Sequence, residues 1–258
     1  MSKIRRGGVN IYYEFHESAG GSDASTILLS HGYSATSAMW AGQITALCRA
    51  FNVITWDMRG HGRSDSPADF NLYSESLTVD DMLAILDICN VDHAIIAGLS
   101  LGGYMTLAFH ASYPRRCKAL MLFDTGPGYK SDTARVAWNE MAHKRAEEFE
   151  KKGLDALGRG REVSISKHSS AQGLCLAARG MLAQNNDRVI QSLPSIGINT
   201  LVLVGELDKP FLVPSEYMVR KIPQSSKVVL EGAGHAANID QPEGFNSAVL
   251  SFLDSLDV

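Results

Sequence analysis

The stretch AIIAGLSLG, residues 94–102, decides the fold of this chain. Four apolar residues lead into a Gly-x-Ser-x-Gly motif, and a helix-patterned segment follows it. This order predicts a strand, a sharp turn and a helix, with Ser100 on the turn. Side chains at positions 98 and 102 would clash in such a turn, so both positions need glycine. Ser100 is therefore a candidate nucleophile, and an ordinary turn is the alternative.

A nucleophilic serine needs a neighbouring base, because its hydroxyl is almost fully protonated near neutral pH. Of the eight histidines, His235 has the most suitable surroundings. The apolar residues 228–230 predict a short strand, and the sequence Gly232-Ala233-Gly234 provides a flexible loop before His235. Pro242 marks the start of the next helix. His235 is thus predicted on a loop at the C-terminal end of a strand.

A carboxylate is also required to hold the imidazole in the correct tautomer. Asp208 is the candidate, because it follows the apolar strand predicted at 200–205 and lies in a loop-like stretch. Asp124, after the preceding strand, is the rival, and a simple backbone cap is the other alternative for Asp208. Ser100, Asp208 and His235 all follow strands that should be parallel. Loops after parallel strands share one edge of a sheet, so these side chains can meet there.

Two backbone N–H groups are candidates for an oxyanion hole, which stabilises the negative charge that develops during acyl transfer. Leu101 follows the serine and opens the predicted helix, where N–H groups have no helical partner. Tyr33 follows His31-Gly32 in the loop after the apolar strand predicted at 26–30. The N–H groups of Leu101 and Tyr33 are therefore predicted to bind the oxyanion.

Apolar strands and helical patterns alternate along the chain. Strands are predicted at 9–16, 26–30, 51–56, 94–99, 118–123, 200–205 and 227–230. Helices are predicted at 39–49, 78–90, 101–112, 215–221 and 242–256. This alternation favours an α/β fold in which helices cover both faces of a mostly parallel central sheet. The length of 258 residues fits one large catalytic domain.

With these motifs in place, the chain resembles the α/β-hydrolase superfamily over nearly its whole length. The segments that carry the resemblance are His31-Gly32, DMRGHGRS at 57–64, the turn at Ser100, GELD at 205–208 and GAGH at 232–235. The resemblance implies that Ser100 is the nucleophile, Asp208 the acid and His235 the base, in the chain order typical of the family. It also implies an oxyanion hole made by Tyr33 and Leu101.

Two further histidines have a structural explanation in this resemblance. His31 could serve as a base, but in a His-Gly turn it is expected to fix the oxyanion loop by hydrogen bonding. His61, between Arg59 and Arg63, suggests an anion site, whereas the family match makes its loop structural.

Within the superfamily, the chain is most similar to small microbial esterases, lactonases, cofactor-free haloperoxidases and carbon–carbon hydrolases. Residues 98–103 and 235–239 are similar to those of oxoadipate enol-lactonases, whose oxyanion loop commonly lacks His-Gly. Carbon–carbon hydrolases of aromatic degradation usually carry a tryptophan after the catalytic histidine, and this chain has Ala236 there. The resemblance thus implies a serine esterase for small, apolar carboxylic esters. Enol-lactonase, carbon–carbon hydrolase, perhydrolase and slow-turnover ligand receptor are the alternatives.

The segment 127–195 interrupts the alternation, because it contains no strand pattern where the spacing would predict one. Helical stripes fill it instead. The resemblance implies that this segment is a helical cap over the active-site edge. The predicted division is a hydrolase core, residues 1–126 and 196–258, with the cap inserted between its two parts. A helical decoration without influence on substrate choice is the alternative.

Three apolar side chains of the predicted cap are candidates for substrate binding: Trp138, Met141 and Met181. If they face the pocket, they favour apolar acyl or aromatic groups. The alternative is that they pack against the body of the protein, as such residues at helical spacing commonly do.

The overall composition points to a small-molecule partner. A formal net charge of -4 gives no reason to expect nucleic-acid binding. No apolar run approaches the about 20 residues that span a bilayer, and residues 1–7 lack the hydrophobic block of a secretion signal. A cytoplasmic enzyme that acts on an ester or lactone, without membrane association, is the resulting prediction. The sequence leaves the oligomeric state open.

The cysteines argue against a disulfide framework. Cys48, Cys89, Cys117 and Cys175 lie in apolar contexts without paired spacing, which predicts buried free thiols rather than disulfides or a metal site. The chain is therefore predicted to need neither a metal nor another cofactor.

Overall fold

The computed structural model describes residues 2–21 and 23–256. Within them, eight strands form one sheet in the order β1-β2-β4-β3-β5-β6-β7-β8. The strands are β1 Ser2–Arg6, β2 Val9–His16, β3 Thr26–Ser30, β4 Asn52–Trp56, β5 Ala94–Leu99, β6 Cys117–Phe123, β7 Thr200–Gly205 and β8 Ser225–Leu230. Strands β1 and β2 run antiparallel to their neighbours, and the pairs from β4 to β8 are parallel. The predicted α/β fold with a mostly parallel sheet is confirmed.

Ten α-helices accompany the sheet in the described residues. They are α1 Ala41–Leu47, α2 Glu75–Ile88, α3 Leu101–Ser112, α4 Asp132–Lys152, α5 Arg161–Ser164, α6 Ala171–Ala177, α7 Arg188–Ser192, α8 Lys209–Lys221, α9 Ala237–Asp240 and α10 Pro242–Asp254. Helix α6 continues into a π-helical turn, Ala178–Leu182. All helices between β6 and β7 belong to the segment predicted as a cap, which contains no strand in the described structure.

The central strands are buried on both faces, and this explains their continuous apolar sequences. In β3, Leu28 packs into one hydrophobic cluster, whereas Ile27 and Leu29 pack into another. The Leu28 cluster includes side chains from α2, α3 and α8, and the second cluster includes side chains from α1 and α10. Helices therefore cover both faces of the sheet, as predicted.

An edge strand and a helix start are among the elements that differ from the sequence prediction. Strand β1 was not expected, because Ser2–Arg6 has mostly polar residues, and it forms the edge of the sheet against β2. Helix α8 begins at Lys209, six residues before the predicted start at 215. Pro210 lies in the first turn of this helix, where proline removes no helical hydrogen bond. Part of the loop-like stretch predicted after Asp208 is thus the start of a helix.

The cap segment packs in two different ways. Helix α4 contacts α6 through a small cluster that includes Phe149 and Leu174. The later part of the segment, including Val189 and Ile190, is instead buried in the main hydrophobic cluster of the sheet. The boundaries at 127 and 195 stay a prediction.

The four cysteines are free thiols, but Cys48 and Cys89 are only partly buried, so the prediction of burial was wrong for these two. Cys117 and Cys175 are buried, and burial raises the pKa of the Cys117 thiol to about 12. Within the described chain, no helix combines the length and apolar character needed to cross a bilayer.

Candidate active site

Ser100 lies on the sharp turn between β5 and α3, with backbone angles φ 54° and ψ −115°. A non-glycine residue with positive φ is strained, and its surroundings must enforce that conformation. A Cβ at Gly98 would lie 2.3 Å from the Gly102 carbonyl, and a Cβ at Gly102 would lie 2.2 Å from the Ser30 oxygen. The need for glycine on both sides of the serine is confirmed, because backbone atoms occupy the space.

His235 and Asp208 form a hydrogen-bonded pair at the same edge of the sheet. His235 Nδ1 is 2.8 Å from Asp208 Oδ2, and only 5% of Asp208 is exposed. The N–H of Leu207 donates to the Ala233 oxygen at 2.9 Å, which ties the loop of the carboxylate to the loop of the imidazole. The Phe211 ring stacks on the imidazole, with the ring centroids 5.1 Å apart. The imidazole is thus held from two sides.

The environment of His235 favours its protonated form. Burial alone would lower the pKa of His235, but the hydrogen bond and negative charge of Asp208 outweigh burial and raise the pKa above its usual value. A histidine whose protonated form is stabilised in this way can accept a proton during a reaction and later return it.

Asp124, the rival carboxylate, has a different partner. Its Oδ1 accepts a hydrogen bond from the Gly205 N–H at 2.7 Å, which holds the carboxyl at the end of β7. Burial raises the pKa of Asp124 well above its usual value, so that the neutral form is favoured. The structure therefore pairs His235 with Asp208, while Asp124 holds the end of β7.

The predicted oxyanion donors lie on either side of Ser100. Leu101 is the first residue of α3, so its N–H has no acceptor within the helix. A Cβ at Gly32 would lie 3.5 Å from the Ser100 Cβ, which places the Tyr33 loop directly beside the serine. The hydrogen bonds that fold this loop use the N–H groups of Ala35 and Ser34 rather than that of Tyr33.

Two buried histidines hold the loop at 31–35, which contains the predicted oxyanion donor Tyr33. His31 Nε2 accepts from the Met58 N–H at 2.9 Å, and His61 Nε2 accepts from the Ser34 N–H at 3.2 Å. Burial lowers the pKa of His31 to about 4, and it lowers the pKa of His61 well below its usual value. Both rings are therefore neutral acceptors near pH 7.

A third histidine, His168, contacts this loop from another segment and was not identified from the sequence. His168, between α5 and α6, accepts from the Gly62 N–H at 3.1 Å, and its Nε2 lies 3.0 Å from the Ser34 oxygen. It links the predicted cap to the loop at 31–35. Its sequence context contains no glycine-rich loop or strand end, and so no local signal identifies it.

A cavity of about 430 Å³ opens beside Ser100. Ser100, His235, Tyr33 and Leu101 all line it, and Asp208 lies behind the imidazole. No lysine, arginine, aspartate or glutamate is among the described residues of its wall. The cavity is therefore a mainly apolar chamber without a charged carboxylate, ammonium or guanidinium group on its described wall.

The cap residues differ from the prediction at one position. Trp138 and Met141 line the cavity, whereas Met181 is fully buried in the main hydrophobic cluster, and its neighbour Leu182 lines the cavity instead. The prediction for Met181 was wrong because residues 178–182 form a π turn, closed by the bond from Ala183 N–H to the Ala178 oxygen. The extra residue in the turn changes which side chains face the cavity.

Several cavity residues were not singled out from the sequence. They are Tyr104, Thr125 to Tyr129, Gln184, Pro210, Phe211 and Pro214. Residues 125–129 directly follow β6, so the convergence of loops after parallel strands could have indicated them. The orientation of Gln184 depends on the cap, and no pattern in the sequence reveals it.

No group of three or more histidine, cysteine, aspartate or glutamate side chains is arranged to hold a metal ion in residues 2–21 and 23–256. A wider groove of about 790 Å³ runs beside Tyr12 and Arg63, but Ser100, Asp208 and His235 do not line it. The serine cavity is thus the site where the chemical groups converge.

Comparisons with known proteins agree with this geometry. Residues 25–158 match the family model described as alpha/beta hydrolase fold. The RutD protein of Agrobacterium fabrum, for which its name proposes carbamate hydrolysis, is 30% identical, with 90% of this chain and 94% of that protein covered. The 3-oxoadipate enol-lactonase 1 of Acinetobacter baylyi is 28% identical, with 92% and 91% covered. A thermophilic esterase from Thermogutta terrifontis superposes with a TM-score of 0.86 at 26% identity, with 100% of both chains covered.

Proposed function

This chain belongs to the alpha/beta hydrolase family, and from that premise we propose that it cleaves carboxylic esters of small, apolar compounds through an acyl-enzyme on Ser100. It is a hydrolytic enzyme of the small microbial branch of the family. The observation that carries the proposal is the 2.8 Å bond between His235 and Asp208, on a cavity that Ser100 also lines.

The proposed acylation step begins at the imidazole. His235 Nε2 takes the proton of Ser100, and Oγ attacks the ester carbonyl. Asp208 keeps the proton on Nδ1 and stabilises the imidazolium that forms. The negative oxygen of the tetrahedral intermediate accepts hydrogen bonds from the N–H groups of Tyr33 and Leu101. As the intermediate collapses, the ester C–O bond breaks and the leaving alcohol takes the proton from His235.

The deacylation step repeats the same transfers with water. His235 removes a proton from water, the hydroxide attacks the acyl carbon, and the second tetrahedral intermediate uses the same N–H groups. The bond to Ser100 Oγ then breaks, His235 returns the proton to the serine, and the carboxylic acid leaves.

The composition of the cavity wall supports an uncharged, apolar substrate. Trp138, Met141, Leu182 and Phe211 provide hydrophobic surface, and the described wall has no charged side chain of lysine, arginine, aspartate or glutamate to pair with an ionised substrate group. Leaving such a group unpaired in an apolar cavity costs free energy. Neutral acyl and alcohol groups are therefore favoured over substrates with a free carboxylate.

Lactone hydrolysis is the second candidate, and the enol-lactonase relative at 28% identity favours it. A lactone is a cyclic ester, so the same attack on the carbonyl opens the ring and leaves the alcohol attached to the acyl chain. No additional residue is needed for that reaction.

The test is a panel of p-nitrophenyl esters from acetate to decanoate, simple lactones, carbamates and vinylogous diketones, assayed with the wild type and Ser100→Ala. We expect rapid hydrolysis of the esters, and a loss of kcat on the order of 10⁶-fold in Ser100→Ala. Ser112→Ala, at the far end of α3, is the matched serine control and should retain wild-type rates.

A phosphonate ester that modifies activated serines provides an independent readout. The wild type should gain the mass of one phosphonyl group, and Ser100→Ala should gain none. Undiminished hydrolysis by Ser100→Ala would show that the nucleophile is elsewhere. Tight binding without turnover would indicate a ligand receptor, and exclusive cleavage of diketones would indicate a carbon–carbon hydrolase.

A further inference from the structure

Gln184 lies on the wall of the serine cavity, two residues after the π turn that ends the α6 region, and only 8% of it is exposed. Asn139 on α4 holds its main chain from both sides. The Gln184 N–H donates to Asn139 Oδ1 at 2.7 Å, and Asn139 Nδ2 donates to the Gln184 oxygen at 2.8 Å. The backbone of Gln184 is thus fixed on the cap side of the cavity.

The side-chain oxygen of Gln184 has no hydrogen-bond partner, although it is buried. A Cβ at Gly128 would lie 2.7 Å from this oxygen, and Gly128 also has a positive φ of 86°. The carboxamide therefore packs against a backbone position that only glycine can provide. Buried polar atoms in native proteins are nearly always paired, so an orphaned one beside a cavity calls for an explanation.

Four other polar side chains on the cavity wall are already engaged within the protein. The hydrogen bonds run from Tyr33 to the Leu174 oxygen, from Thr125 to the Ser100 oxygen, from Tyr104 to Glu75 and from Trp138 to the Leu182 oxygen. Gln184 differs from these four, because its oxygen is left for a partner that comes from outside the chain.

We infer that Gln184 is a specificity-determining residue, whose carboxamide hydrogen-bonds to an uncharged donor, such as a hydroxyl group, carried by the substrate apart from the scissile bond. The last side-chain torsion of glutamine is soft, so the amide can turn its oxygen toward the cavity. An ammonium donor is disfavoured, since the described wall has no carboxylate to balance its charge. This inference rests on the proposed ester hydrolysis and narrows its substrates to hydroxylated esters.

The experiment compares matched ester pairs that differ by one hydroxyl group. One pair is p-nitrophenyl hexanoate and 6-hydroxyhexanoate, with the hydroxyl in the acyl chain. The other is hexyl butyrate and 6-hydroxyhexyl butyrate, with the hydroxyl in the alcohol. We expect the wild type to prefer the hydroxylated member of one pair by roughly three- to tenfold in kcat/KM, mainly through a lower KM.

Gln184→Met keeps the size of the side chain and removes its amide, so the preference should fall to about one. Gln184→Leu provides a second variant if the first folds poorly. The ratio is measured within each variant, so a general loss of active protein cancels. Gln191→Met, at an exposed glutamine on α7, is the matched control and should keep the wild-type ratio.

A wild type that hydrolyses the plain esters without any preference would overturn the inference and leave the proposed function intact. Equal losses on both members of each pair in Gln184→Met would assign a structural role to the glutamine and also overturn it. A wild type that hydrolyses none of the four esters would remove the proposed function, and the inference with it.

Discussion

Asp124 and Asp208 follow neighbouring strands, yet only Asp208 reaches the imidazole. Asp124 comes directly after β6, so its carboxyl stays on the sheet edge and caps the Gly205 N–H of β7. Asp208 lies three residues beyond the end of β7, which gives its carboxyl the reach to meet His235. The distance from the strand end thus decides which aspartate pairs with the base.

The Asp208–His235 pair predicts a pH effect. Because Asp208 raises the pKa of His235, and the base must be neutral, the activity of the wild type should rise with pH through that raised pKa. Asp208→Asn should lower kcat by about 10⁴-fold and move the acidic limb of the kcat/KM profile to lower pH. Steady-state rates from pH 4 to 9 measure both effects. An unchanged limb in Asp208→Asn would show that another group controls the base.

Asp124→Asn tests the rival carboxylate. Asparagine keeps the acceptor for the Gly205 N–H, tolerates the positive φ of 44° and resembles the neutral carboxyl that burial favours. We expect kcat/KM to stay within about tenfold of the wild type. Replacing the acid of a catalytic triad would instead lower kcat by about 10⁴-fold. Asp124→Ala should lower the free energy of unfolding by about 1–3 kcal/mol, because the buried N–H loses its partner. A loss of activity in Asp124→Asn as large as in Asp208→Asn would make Asp124 the acid.

At the level of elements, close contacts at two glycines bring the predicted cap against loops of the predicted core. A Cβ at Gly180, in the π turn, would lie 2.2 Å from the Tyr73 oxygen. A Cβ at Gly173, in α6, would lie 2.4 Å from Ser66 Oγ and 2.9 Å from the Gly60 Cα. The absence of side chains lets these turns approach the loops of the core. That approach sets the depth of the cavity wall that Leu182 and Gln184 provide.

Gly180→Ala should therefore push the π turn away from the core. We expect the free energy of unfolding to fall by about 1–3 kcal/mol, as in other overpacked cores, and KM for the esters to rise. Chemical denaturation and steady-state kinetics measure the two changes. Gly197→Ala, where a Cβ would meet nothing within 4 Å, is the control and should change stability by less than about 0.5 kcal/mol. Equal behaviour of the two variants would contradict this role of the glycine.

At the level of the whole molecule, the predicted cap has only a small hydrophobic cluster of its own, and its later part is buried in the main cluster of the sheet. Val189 and Ile190 share the main cluster of the sheet, whereas α4 relies on a small cluster around Phe149. Regions that share a core open together, and regions with few buried contacts open at lower free energy. We propose that residues 127–195 form a cap, and that the part around α4 is less stable than the part around Val189 and Ile190.

Native-state hydrogen exchange should resolve this difference. Peptides from α4 should exchange through a partial opening, while peptides from 188–193 should exchange only with the central strands at global unfolding. Mass spectrometry over a series of low denaturant concentrations measures both free energies. Exchange of the entire 127–195 segment in one step, separate from the sheet, would instead make the cap an independent unit.

The sequence by itself determined the alternating strands, the turn at Ser100 and the loops that present Asp208 and His235. These features depend on local patterns, namely apolar runs, glycines that relieve clashes, and the order of motifs along the chain. The edge strand β1 and the early start of α8 were not predicted, because their residues lack such a pattern.

Only the tertiary structure decided which aspartate meets the imidazole, that Leu182 rather than Met181 faces the cavity, and that the Gln184 amide is left unpaired beside it. The physical reason is that side-chain direction depends on helix register and on packing between distant segments. A π turn or a pair of touching glycines changes that direction without leaving a periodic signal in the sequence.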